Sequence, residues 1–494
     1  MSDRHSHLAF DIGAESGRAV VGTIADGRVV LREVHRFPNP MIPLFGRLHW
    51  DPYALYAEML AGLKLAAAAC PEGIDSVAVD TWGVDFGLLA RDGSLLGLPF
   101  AYRDLRNVRA MDDFLARVPR ERVYEITGIQ FLPFNSIFQL HALALDNPVL
   151  LDQAAHLLFM PDLLTYFLCG RRMTEATIAS TSQLIDPRRG EWSGELLGAL
   201  GVRPGIFQPL VRPGTVVGRL RPELAREAGL AEIPVVAAAS HDTASAVAAV
   251  PARGRDWAYI SSGTWSLMGI EAASPLITSE TRRLNFTNEG GMDGRIRVLK
   301  NVTGLWLVQQ CRKAWTTAGR APTYDEMREL AAGAPAFRAF IDPNAPDFLN
   351  PPDMPAAIRE FCRRTGQPVP DTPALVLRCV LESLALAYRS VLDDLRRIAP
   401  EPIRRIHVIG GGSRHPTLCR FTACATGLPV AAGPAEATAL GNVLGQALAL
   451  GRLGSIDEMR ALVAAGEAPA AYEPDDTPAW EAAYARFRDL LPCF

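Results

Sequence analysis

Short apolar runs that end in small or polar turns alternate along this chain with longer amphipathic segments. The first run ends at Asp11 after Leu8–Phe10, and a second follows over Ala19–Ile24. Asp26-Gly27 predicts a hairpin to the next strand. The segment Ala54–Ala69 has the length of a helix, and it is followed by an apolar run that predicts a buried strand over residues 76–80. This alternation indicates an α/β fold.

The same alternation continues to the end of the chain. It predicts a hairpin around Asp92-Gly93 within Phe86–Leu96, strands over Ile233–Ala239, Trp257–Ser261 and Ile403–Ile409, and a helix over Ala374–Ile398. The run that starts at Trp257 leads into a Ser-Gly-Thr turn and a further apolar run, which echoes the opening hairpin about half the chain later. We therefore place a domain boundary near residues 250–256 and predict domains over residues 1–250 and 256–494.

Length and charge exclude several classes of protein. A chain of 494 residues is too long for one core. With a net charge of −4, it lacks the electrostatic footprint of a protein that binds nucleic acid or acidic membranes. No signal-peptide pattern or membrane-spanning run is recognisable, so we expect a cytoplasmic protein. The eight cysteines are scattered without a Cys-x-x-Cys pair, and we predict reduced thiols and no disulfide.

The turn after the first strand, Asp11–Arg18, has the composition of a phosphate-binding hairpin. Small residues let backbone N–H groups approach an anion, the Asp could hold a metal through water, and the Arg could pair with phosphate oxygens. Any strand–turn–strand also favours Gly and Ser, so an ordinary turn is an equal alternative on this stretch alone. Ser261–Ser266 could be a second phosphate hairpin, with the same alternative.

Two glycine-rich segments lie late in the chain. Gly410–Gly412 follows a predicted strand without the G-x-G-x-x-G spacing of a Rossmann fingerprint, and it suits close backbone approach to a flat or anionic group. Gly433–Asn442 predicts the start of a helix built from small residues. Small side chains also let two helices cross closely, so packing alone could explain this second segment.

Asp242 is the strongest catalytic candidate in the chain. It follows an apolar strand, at the carboxyl end where open α/β sheets bind their ligands, and a carboxylate there could accept a proton from a hydroxyl nucleophile. A helix N-cap is the structural alternative. We reject a hydrolase triad of Ser240, His241 and Asp242, because neighbours on an extended chain point to opposite faces. His241 is expected to be structural or to bond a sugar.

The segment Asp80–Asp85 also follows a predicted strand. Its Trp, Gly and two carboxylates suit a polyol, which needs a ring face to pack on and acceptors for its hydroxyls; a hairpin with a core Trp is the alternative. Asp104 and Arg106 could add polar contacts or form only an ion pair.

In this order, the motifs resemble those of the FGGY carbohydrate kinases, members of the sugar kinase/actin/Hsp70 superfamily. The resemblance spans roughly residues 8–445. Its stretches are Asp11–Arg18, Asp80–Phe86, Gly97–Asp104, Gly128–Asn135, Ser240–Ala246, Ser261–Gly269, Asn288–Gly291, Leu299–Leu307, His407–Gly412 and Gly433–Asn442. It implies two ribonuclease-H-like (actin-like ATPase) domains with a cleft between them, the first binding sugar and the second nucleotide.

The resemblance also implies roles for single residues. Positions matching ATP contacts are Ala14, Glu15, Ser16, Gly17, Arg18, Thr264, Gln309 and Gly411. Positions matching sugar contacts are Gly83, His241, Asp242, Thr243 and Asn301, with Asp242 as the catalytic proton acceptor. Asp11 would approach Mg²⁺ through water. Glu15 stands where relatives can hold a small residue, and we expect its side chain to point away from phosphate.

The expected activity is transfer of phosphate from ATP, with Mg²⁺, to a small sugar. The stretches Gly97–Asp104 and Ser261–Gly269 resemble the branch of the family that acts on the C1 hydroxyl of L-rhamnulose. The first alternative is an FGGY kinase for another ketose, such as L-fuculose or xylulose. The second is a non-enzymatic ATP switch of the actin/Hsp70 type, against which Asp242 and the Asp80–Asp85 segment argue. We expect a monomer or small homo-oligomer without nucleic-acid or membrane partners.

Overall fold

The computed structural model describes residues 4–466 and 468–491. We number its strands and helices in chain order. The strands are β1 (His5–Ile12), β2 (Ser16–Ala25), β3 (Arg28–Pro38), β4 (Ile42–Leu44), β5 (Arg47–His49), β6 (Ser76–Thr81), β7 (Phe86–Leu89), β8 (His156–Phe159), β9 (Thr174–Glu175), β10 (Ile185–Asp186), β11 (Glu191–Trp192), β12 (Leu210–Val211), β13 (Thr215–Arg219), β14 (Pro234–Ala237), β15 (Trp257–Ser262), β16 (Trp265–Ala272), β17 (Thr287–Gly290), β18 (Ile296–Thr303), β19 (Arg405–Ile409), β20 (Val430–Ala432) and β21 (Ala470–Tyr472).

The helices flank these strands along the whole chain. They are α1 (Pro52–Ala69), α2 (Arg106–Arg117), α3 (Arg120–Thr127), α4 (Ser136–Asp146), α5 (Pro148–Gln153), α6 (Met160–Cys169), α7 (Ala176–Ser180), α8 (Gly194–Leu200), α9 (Pro222–Ala228), α10 (Asp242–Ala248), α11 (Ser279–Arg283), α12 (Trp306–Thr317), α13 (Tyr324–Gly333), α14 (Met354–Arg364), α15 (Pro373–Ile398), α16 (Pro416–Thr426), α17 (Ala437–Ala449), α18 (Ile456–Ala464) and α19 (Thr477–Arg488).

The contacts divide the chain into two compact units. The first unit comprises the chain up to Arg253, the segment Glu271–Val298 and a segment that begins at Ala437. The second unit comprises Gly254–Ile270, Leu299–Glu436 and a segment that begins at Ala468. Each unit is thus assembled from separated pieces of the chain. The linear pattern carries no sign of these exchanged segments, and the boundary near residues 250–256 stays a prediction.

The first unit is built on a six-stranded sheet of order β13-β14-β6-β1-β2-β3. β1, β2 and β3 form antiparallel hairpins, and Asp26-Gly27 makes the turn between β2 and β3 as predicted, with both residues at positive φ. β6 runs parallel to β1, and β14 runs parallel to β6. The carboxyl ends of three neighbouring parallel strands therefore lie at one edge of the sheet.

Helix α17 is hydrogen-bonded to this sheet through an amide side chain and packs closely on helix α10 at a glycine. The Nε2 of Gln446 donates to the carbonyl of Leu8 in β1 at 3.0 Å, and its Oε1 accepts from the hydroxyl of Ser76 in β6 at 2.7 Å. A Cβ on Gly441 would overlap the backbone of Ser245 in α10. The small residues predicted for this helix therefore do allow two helices to cross closely.

The region between β7 and β12 forms an apolar cluster of its own, from Phe86 to Phe207. The predicted hairpin around Asp92-Gly93 is confirmed over a short stretch, where the N–H of Ala90 donates to the carbonyl of Ser94 and the N–H of Leu96 donates to the carbonyl of Leu88, both at 2.8 Å. A bridge joins Leu89 to Leu95 across the turn, and the longer pairing of β7 is with β8, about 70 residues further along the chain. The local turn signal is genuine, but the buried partner of β7 comes from a distant segment.

The second unit repeats the plan of the first. Its sheet contains the strands β18-β16-β15-β19-β20-β21 in that order. β15 and β16 form an antiparallel hairpin, β19 runs parallel to β15, and β20 runs parallel to β19. This is the arrangement of β2, β1, β6 and β14, so the echo seen in the sequence reflects two ribonuclease-H-like folds.

The described cysteines, at positions 70, 169, 311, 362, 379, 419 and 424, are free thiols, and Cys493 lies outside the described residues. Among the described helices, none combines the length and the apolar character needed to cross a membrane.

Candidate active site

Three acidic residues meet at the carboxyl ends of β1, β6 and β14. Asp11 and Asp80 are direct neighbours in the parallel register of β1 and β6. The N–H of Thr81 donates to the carbonyl of Ser240 at 2.9 Å, which holds the residues after β14 beside the end of β6. Asp242 follows and begins α10. The sheet topology therefore brings the candidate base together with two further carboxylates.

Asp242 is bonded on one side only. Its Oδ1 accepts from the backbone N–H of Thr243 at 2.5 Å and from the Thr243 hydroxyl at 3.0 Å. Among the described residues, no protein donor bonds Oδ2. Enclosure by the protein, followed by the nearby charge of Asp11, raises the pKa of Asp242 to about 7. With a side chain 29% exposed, Asp242 can receive a proton near neutral pH.

His241 lies beside Asp242, and the premise on which we separated them is wrong. The chain turns into α10 at this point, so the imidazole Nε2 is 3.4 Å from Asp242 Oδ1 instead of on the opposite face. The Nδ1 of the same ring is 3.0 Å from Nη2 of Arg297 and 3.4 Å from Oε2 of Glu289. Burial, followed by the charge of Arg297, lowers the pKa of His241 well below its usual value. The ring is therefore neutral.

Ser240 belongs to the backbone support and forms no triad. Its hydroxyl donates to the carbonyl of Ala238. Its N–H donates to Oε2 of Glu175 at 3.1 Å, and the N–H of His241 donates to the hydroxyl of Thr177 at 3.2 Å. Burial raises the pKa of Glu175 to about 7. Glu175 and Thr177 thus fix the turn that leads into Asp242.

Gly83 lies against the same imidazole. A Cβ at this position would be 3.4 Å from His241 Nε2 and 3.2 Å from Cγ2 of Thr181. Any larger side chain would therefore fill the space beside the ring. The structure thus brings together four of the predicted sugar contacts: Gly83, His241, Asp242 and Thr243.

Asp80 is fully buried beside this group. Its Oδ2 accepts from Nδ2 of Asn442 in α17 at 2.6 Å, and its Oδ1 has no hydrogen-bond partner among the described residues. Burial, followed by the neighbouring charge of Asp11, raises the pKa of Asp80 well above its usual value. Asn442, which the sequence showed only as part of a small-residue helix, therefore anchors an acidic side chain of the site.

The turn Gly13–Ser16 joins β1 to β2, and the N–H of Gly13 donates to the carbonyl of Ser16 at 2.9 Å. Glu15 is exposed, and its carbonyl accepts from the N–H of Asn39. The guanidinium of Arg18 bonds Oδ2 of Asp11 through Nη2 at 2.7 Å and Nε at 3.1 Å. Arg18 thus holds the Asp11 carboxylate, and its contact with phosphate stays a prediction.

The neighbouring Asp85 does not serve a sugar as we expected. It is fully buried, and its Oδ2 accepts from Nε1 of Trp50 at 2.6 Å, from Nε1 of Trp82 at 2.9 Å and from the N–H of Tyr102 at 3.1 Å. Its Oδ1 accepts from Nε2 of Gln139 at 2.8 Å. Both oxygens are thus occupied by protein donors, and Asp85 fixes two indole rings in place.

Asp104 and Arg106 are structural as well. The buried carboxylate of Asp104 accepts from the N–H of Leu48 at 2.8 Å and from the N–H of Arg106 at 3.0 Å. The guanidinium of Arg106 lies 3.5 Å from the centroid of the Phe100 ring, and burial lowers its pKa to about 10.

The second unit gathers predicted nucleotide contacts at the end of β15. The carbonyl of Thr264, in the β15–β16 turn, accepts from the N–H of Gly304 at 3.1 Å. A Cβ on Gly304 would be 2.7 Å from the Ser266 hydroxyl, so only glycine permits this approach. Helix α12 begins directly after it and carries Gln309, whose buried Oε1 has no hydrogen-bond partner among the described residues.

Gly411 starts a short 3₁₀ turn after β19, the parallel neighbour of β15. A Cβ on the adjacent Gly412 would overlap the side chain of Ser262 at the end of β15, so glycine brings this turn onto the β15 edge. Thr264 and Gly411 therefore follow neighbouring strands. Asn301 lies in β18 of the same unit, beside Lys300, which bonds Asp394 at 2.8 Å.

Sequence reasoning assigned no role to four supporting residues, Glu175, Thr177, Glu289 and Arg297, of which only Glu289 lies within one of the motif stretches named above. Arg297 is an arginine without solvent exposure in β18, yet it looks like any charged residue of an alternating strand. An arginine within a strand, close to a motif that already contains a glutamate, is the only signal that could have pointed to it.

Family models match nearly the whole chain. The N-terminal domain of the FGGY family of carbohydrate kinases matches residues 6–249, and the C-terminal domain of that family matches residues 258–450. A rhamnulokinase from Bacteroides thetaiotaomicron is 49% identical over 99% of this chain and 100% of that protein. A rhamnulokinase from Pectobacterium carotovorum is 43% identical over 92% of this chain and 90% of that protein.

A ligand-bound xylulose kinase from Lactobacillus acidophilus has a similar structure. The TM-score is 0.82 at 16% identity, and the match covers 98% of this chain and 97% of that chain. At this identity the likeness concerns the fold. Together with the family models and the close relatives, the paired folds and the carboxylate at the start of α10 identify the chain as a member of the FGGY family of carbohydrate kinases.

Proposed function

We propose that this carbohydrate kinase transfers the γ-phosphate of ATP to the C1 hydroxyl of L-rhamnulose, giving L-rhamnulose 1-phosphate and ADP. The observation that carries the choice of sugar is the 49% identity to a rhamnulokinase over 99% of the chain. An identity this high over the full length supports the same sugar, whereas the fold by itself supports only the reaction class.

Asp242 is the proposed general base. The C1 hydroxyl gives its proton to Oδ2 while the C1 oxygen forms a bond to the γ-phosphorus, and the bond from that phosphorus to the β,γ-bridging oxygen breaks to release ADP. The donors that occupy Oδ1 support this choice of atom. Because its pKa is about 7, Asp242 is sufficiently ionised at neutral pH to accept the proton.

The remaining predicted contacts divide between the two substrates. The sugar would be bound by Gly83, His241, Thr243 and Asn301. The nucleotide would be bound by Ala14, Glu15, Ser16, Gly17, Arg18, Thr264, Gln309 and Gly411. Two observations support the nucleotide assignment. Gln309 has a buried Oε1 without a hydrogen-bond partner among the described residues, and the backbone at Gly411 is not covered by a side chain.

Sugar kinases of this family use ATP with a divalent metal, and Mg²⁺ is the metal that we propose. No group of three or more His, Cys, Asp or Glu side chains in the described part of the chain is arranged to hold a metal. This is compatible with an ion held mainly by the phosphates of ATP and by water, with Asp11 contacting it through water. When bound, Mg²⁺ would neutralise charge on the transferring phosphoryl group.

A coupled assay of ADP release over a panel of ketoses and polyols tests this proposal. The panel contains L-rhamnulose, L-fuculose, xylulose and glycerol, with a sample without sugar. We expect the highest kcat/KM for L-rhamnulose and little ADP release without sugar. A clearly higher kcat/KM for another ketose would overturn the choice of substrate, and sugar-independent ADP release would overturn the kinase assignment.

A further inference from the structure

Arg297 is fully buried, and all of its described contacts lead to His241 or hold the guanidinium beside it. Its Nε donates to the carbonyl of Gly290 at 2.8 Å, and its Nη2 lies 3.2 Å from Oε2 of Glu289. The same Nη2 lies 3.0 Å from Nδ1 of His241. A buried guanidinium requires a counter-charge, and Glu289, itself buried, supplies it.

These distances determine which ring nitrogen carries the proton. A guanidinium has only donors and stays charged in proteins. At 3.0 Å, its Nη2 can therefore face only a ring nitrogen that accepts. A proton on Nδ1 would point two donors at each other, although it would find Glu289 Oε2 at 3.4 Å. Since the ring is neutral, its single proton must be on Nε2.

We propose that Arg297 is a positioning residue for phosphoryl transfer, because it fixes His241 as the Nε2–H tautomer and so makes the ring a donor towards Asp242. This inference rests on the proposed role of Asp242 as the base. The Nε2–H lies 3.4 Å from Asp242 Oδ1, the oxygen that already accepts two bonds from Thr243. At this distance the N–H dipole favours the ionised carboxylate from the Oδ1 side without adding a hydrogen bond to the two from Thr243, and Oδ2 stays the vacant acceptor.

The opposite tautomer would work against the reaction. A lone pair on Nε2 would face the lone pairs of Asp242 Oδ1, and the repulsion would turn the carboxylate away. That lone pair would also compete with Asp242 for the proton of a sugar hydroxyl beside Gly83. Arg297 therefore acts on turnover mainly through His241, which it contacts directly, and its charge also lowers the pKa of Asp242.

The tautomer can be measured directly in the wild-type protein. We would label the full chain with ¹⁵N-histidine, which gives nine residues to resolve, and assign His241 by its loss in His241→Gln. Long-range ¹H–¹⁵N correlations are expected to show an acceptor-type Nδ1 and a protonated Nε2 for His241. A protonated Nδ1, alone or together with a protonated Nε2, would overturn the proposal. This result does not depend on any variant at Arg297 folding.

Variants then connect the tautomer to turnover. Arg297→Met combined with Glu289→Gln removes the donor without leaving a buried charge unpaired. We expect kcat to fall about 10- to 100-fold, the loss of a hydrogen bond to a charged group, with a smaller change in KM for the sugar and a mixture of tautomers at His241. Arg297→Lys, which keeps a cationic donor, should recover part of the loss. Wild-type kcat in the double variant would overturn the proposal.

The matched control is Arg295→Met, at a position two residues before Arg297. It removes a guanidinium that bonds Glu271 and should leave kcat and the His241 spectrum unchanged. Failure of the proposed function is distinguishable from failure of this inference. If the protein prefers another ketose, the tautomer result stands. If it phosphorylates L-rhamnulose with a protonated Nδ1 on His241, only the inference fails.

Discussion

Asp85 and Asp242 are two enclosed carboxylates of the same unit whose hydrogen-bond partners are arranged differently. Asp85 accepts hydrogen bonds on both oxygens, from four protein donors. Asp242 accepts on Oδ1 alone, from Thr243. A carboxylate with both oxygens occupied stabilises the fold, whereas one with a vacant oxygen can take part in chemistry.

The pKa values by themselves would not separate these two residues. Burial raises the pKa of Asp85 to about 6, and enclosure together with Asp11 raises that of Asp242 to about 7. The donors to Asp85 offset part of the cost of burying its charge, while the nearby Asp11 adds to that cost for Asp242. The distribution of donors over the two oxygens therefore indicates function better than the size of the pKa shift.

The largest expected effect is that of Asp242→Asn. The amide keeps an oxygen for Thr243 but cannot take a proton, so kcat should fall by about 10²–10⁴ without a lower unfolding midpoint. Steady-state kinetics and thermal unfolding measure both quantities. The control is Asp26→Asn, the same substitution in an exposed hairpin turn, which should change neither. A kcat close to that of the wild type would refute the role of Asp242.

Asp85→Asn should have the opposite profile. The amide NH₂ replaces an acceptor with a donor among four protein donors, so the free energy of unfolding should fall by about 1–3 kcal/mol. Chemical denaturation measures this loss, and kcat per folded molecule should change much less than in Asp242→Asn. Unchanged stability would show that the donors around Asp85 do not need a carboxylate.

Gly441→Ala tests the close packing of α17 on α10, the helix that begins with Asp242. The added methyl group would overlap the backbone of Ser245 in α10, so we expect a loss of about 1–3 kcal/mol in the free energy of unfolding. Gly198→Ala, in α8 with open space around it, is the matched control and should stabilise by about 0.4–1 kcal/mol. Equal effects of the two substitutions would contradict the close crossing of α10 and α17.

The activity should also depend on pH. Only ionised Asp242 can accept a proton, so kcat/KM should rise about tenfold per pH unit below the pKa and become constant above it, as expected for one essential base. The bend should lie near the pKa of about 7. A profile that is flat through neutral pH, or that bends near the usual pKa of an aspartate, would contradict the raised pKa.

The sequence predicted the parts of this site that follow from local order. Asp242 after an apolar strand, each of the two hairpin turns and the small-residue helix can be recognised from a few neighbouring residues of the sequence. Asp85 was misjudged, because two of its donors, Trp50 and Gln139, come from segments 35 and 54 residues away. Arg297 was missed for the same reason, since it meets His241 across 56 residues of chain.

The pairing of β7 shows the same limit in the fold. The turn at Asp92-Gly93 forms the predicted short hairpin, but the longer partner of β7 is β8, which lies about 70 residues further along the chain and which no local signal indicates. Local chemistry thus indicates where strands end and which side chains follow them. The donors that reach those side chains are set by tertiary packing, which a single sequence does not display.

The most direct test of the account is the amount of sugar phosphate formed from L-rhamnulose and ATP by Asp242→Asn and Asp85→Asn under conditions in which both are folded. With ³¹P and ¹³C spectra to locate the ester, we predict phosphate on C1 at a near wild-type rate from Asp85→Asn and only a trace from Asp242→Asn. Equal rates from the two variants, or an ester on another carbon, would contradict the account.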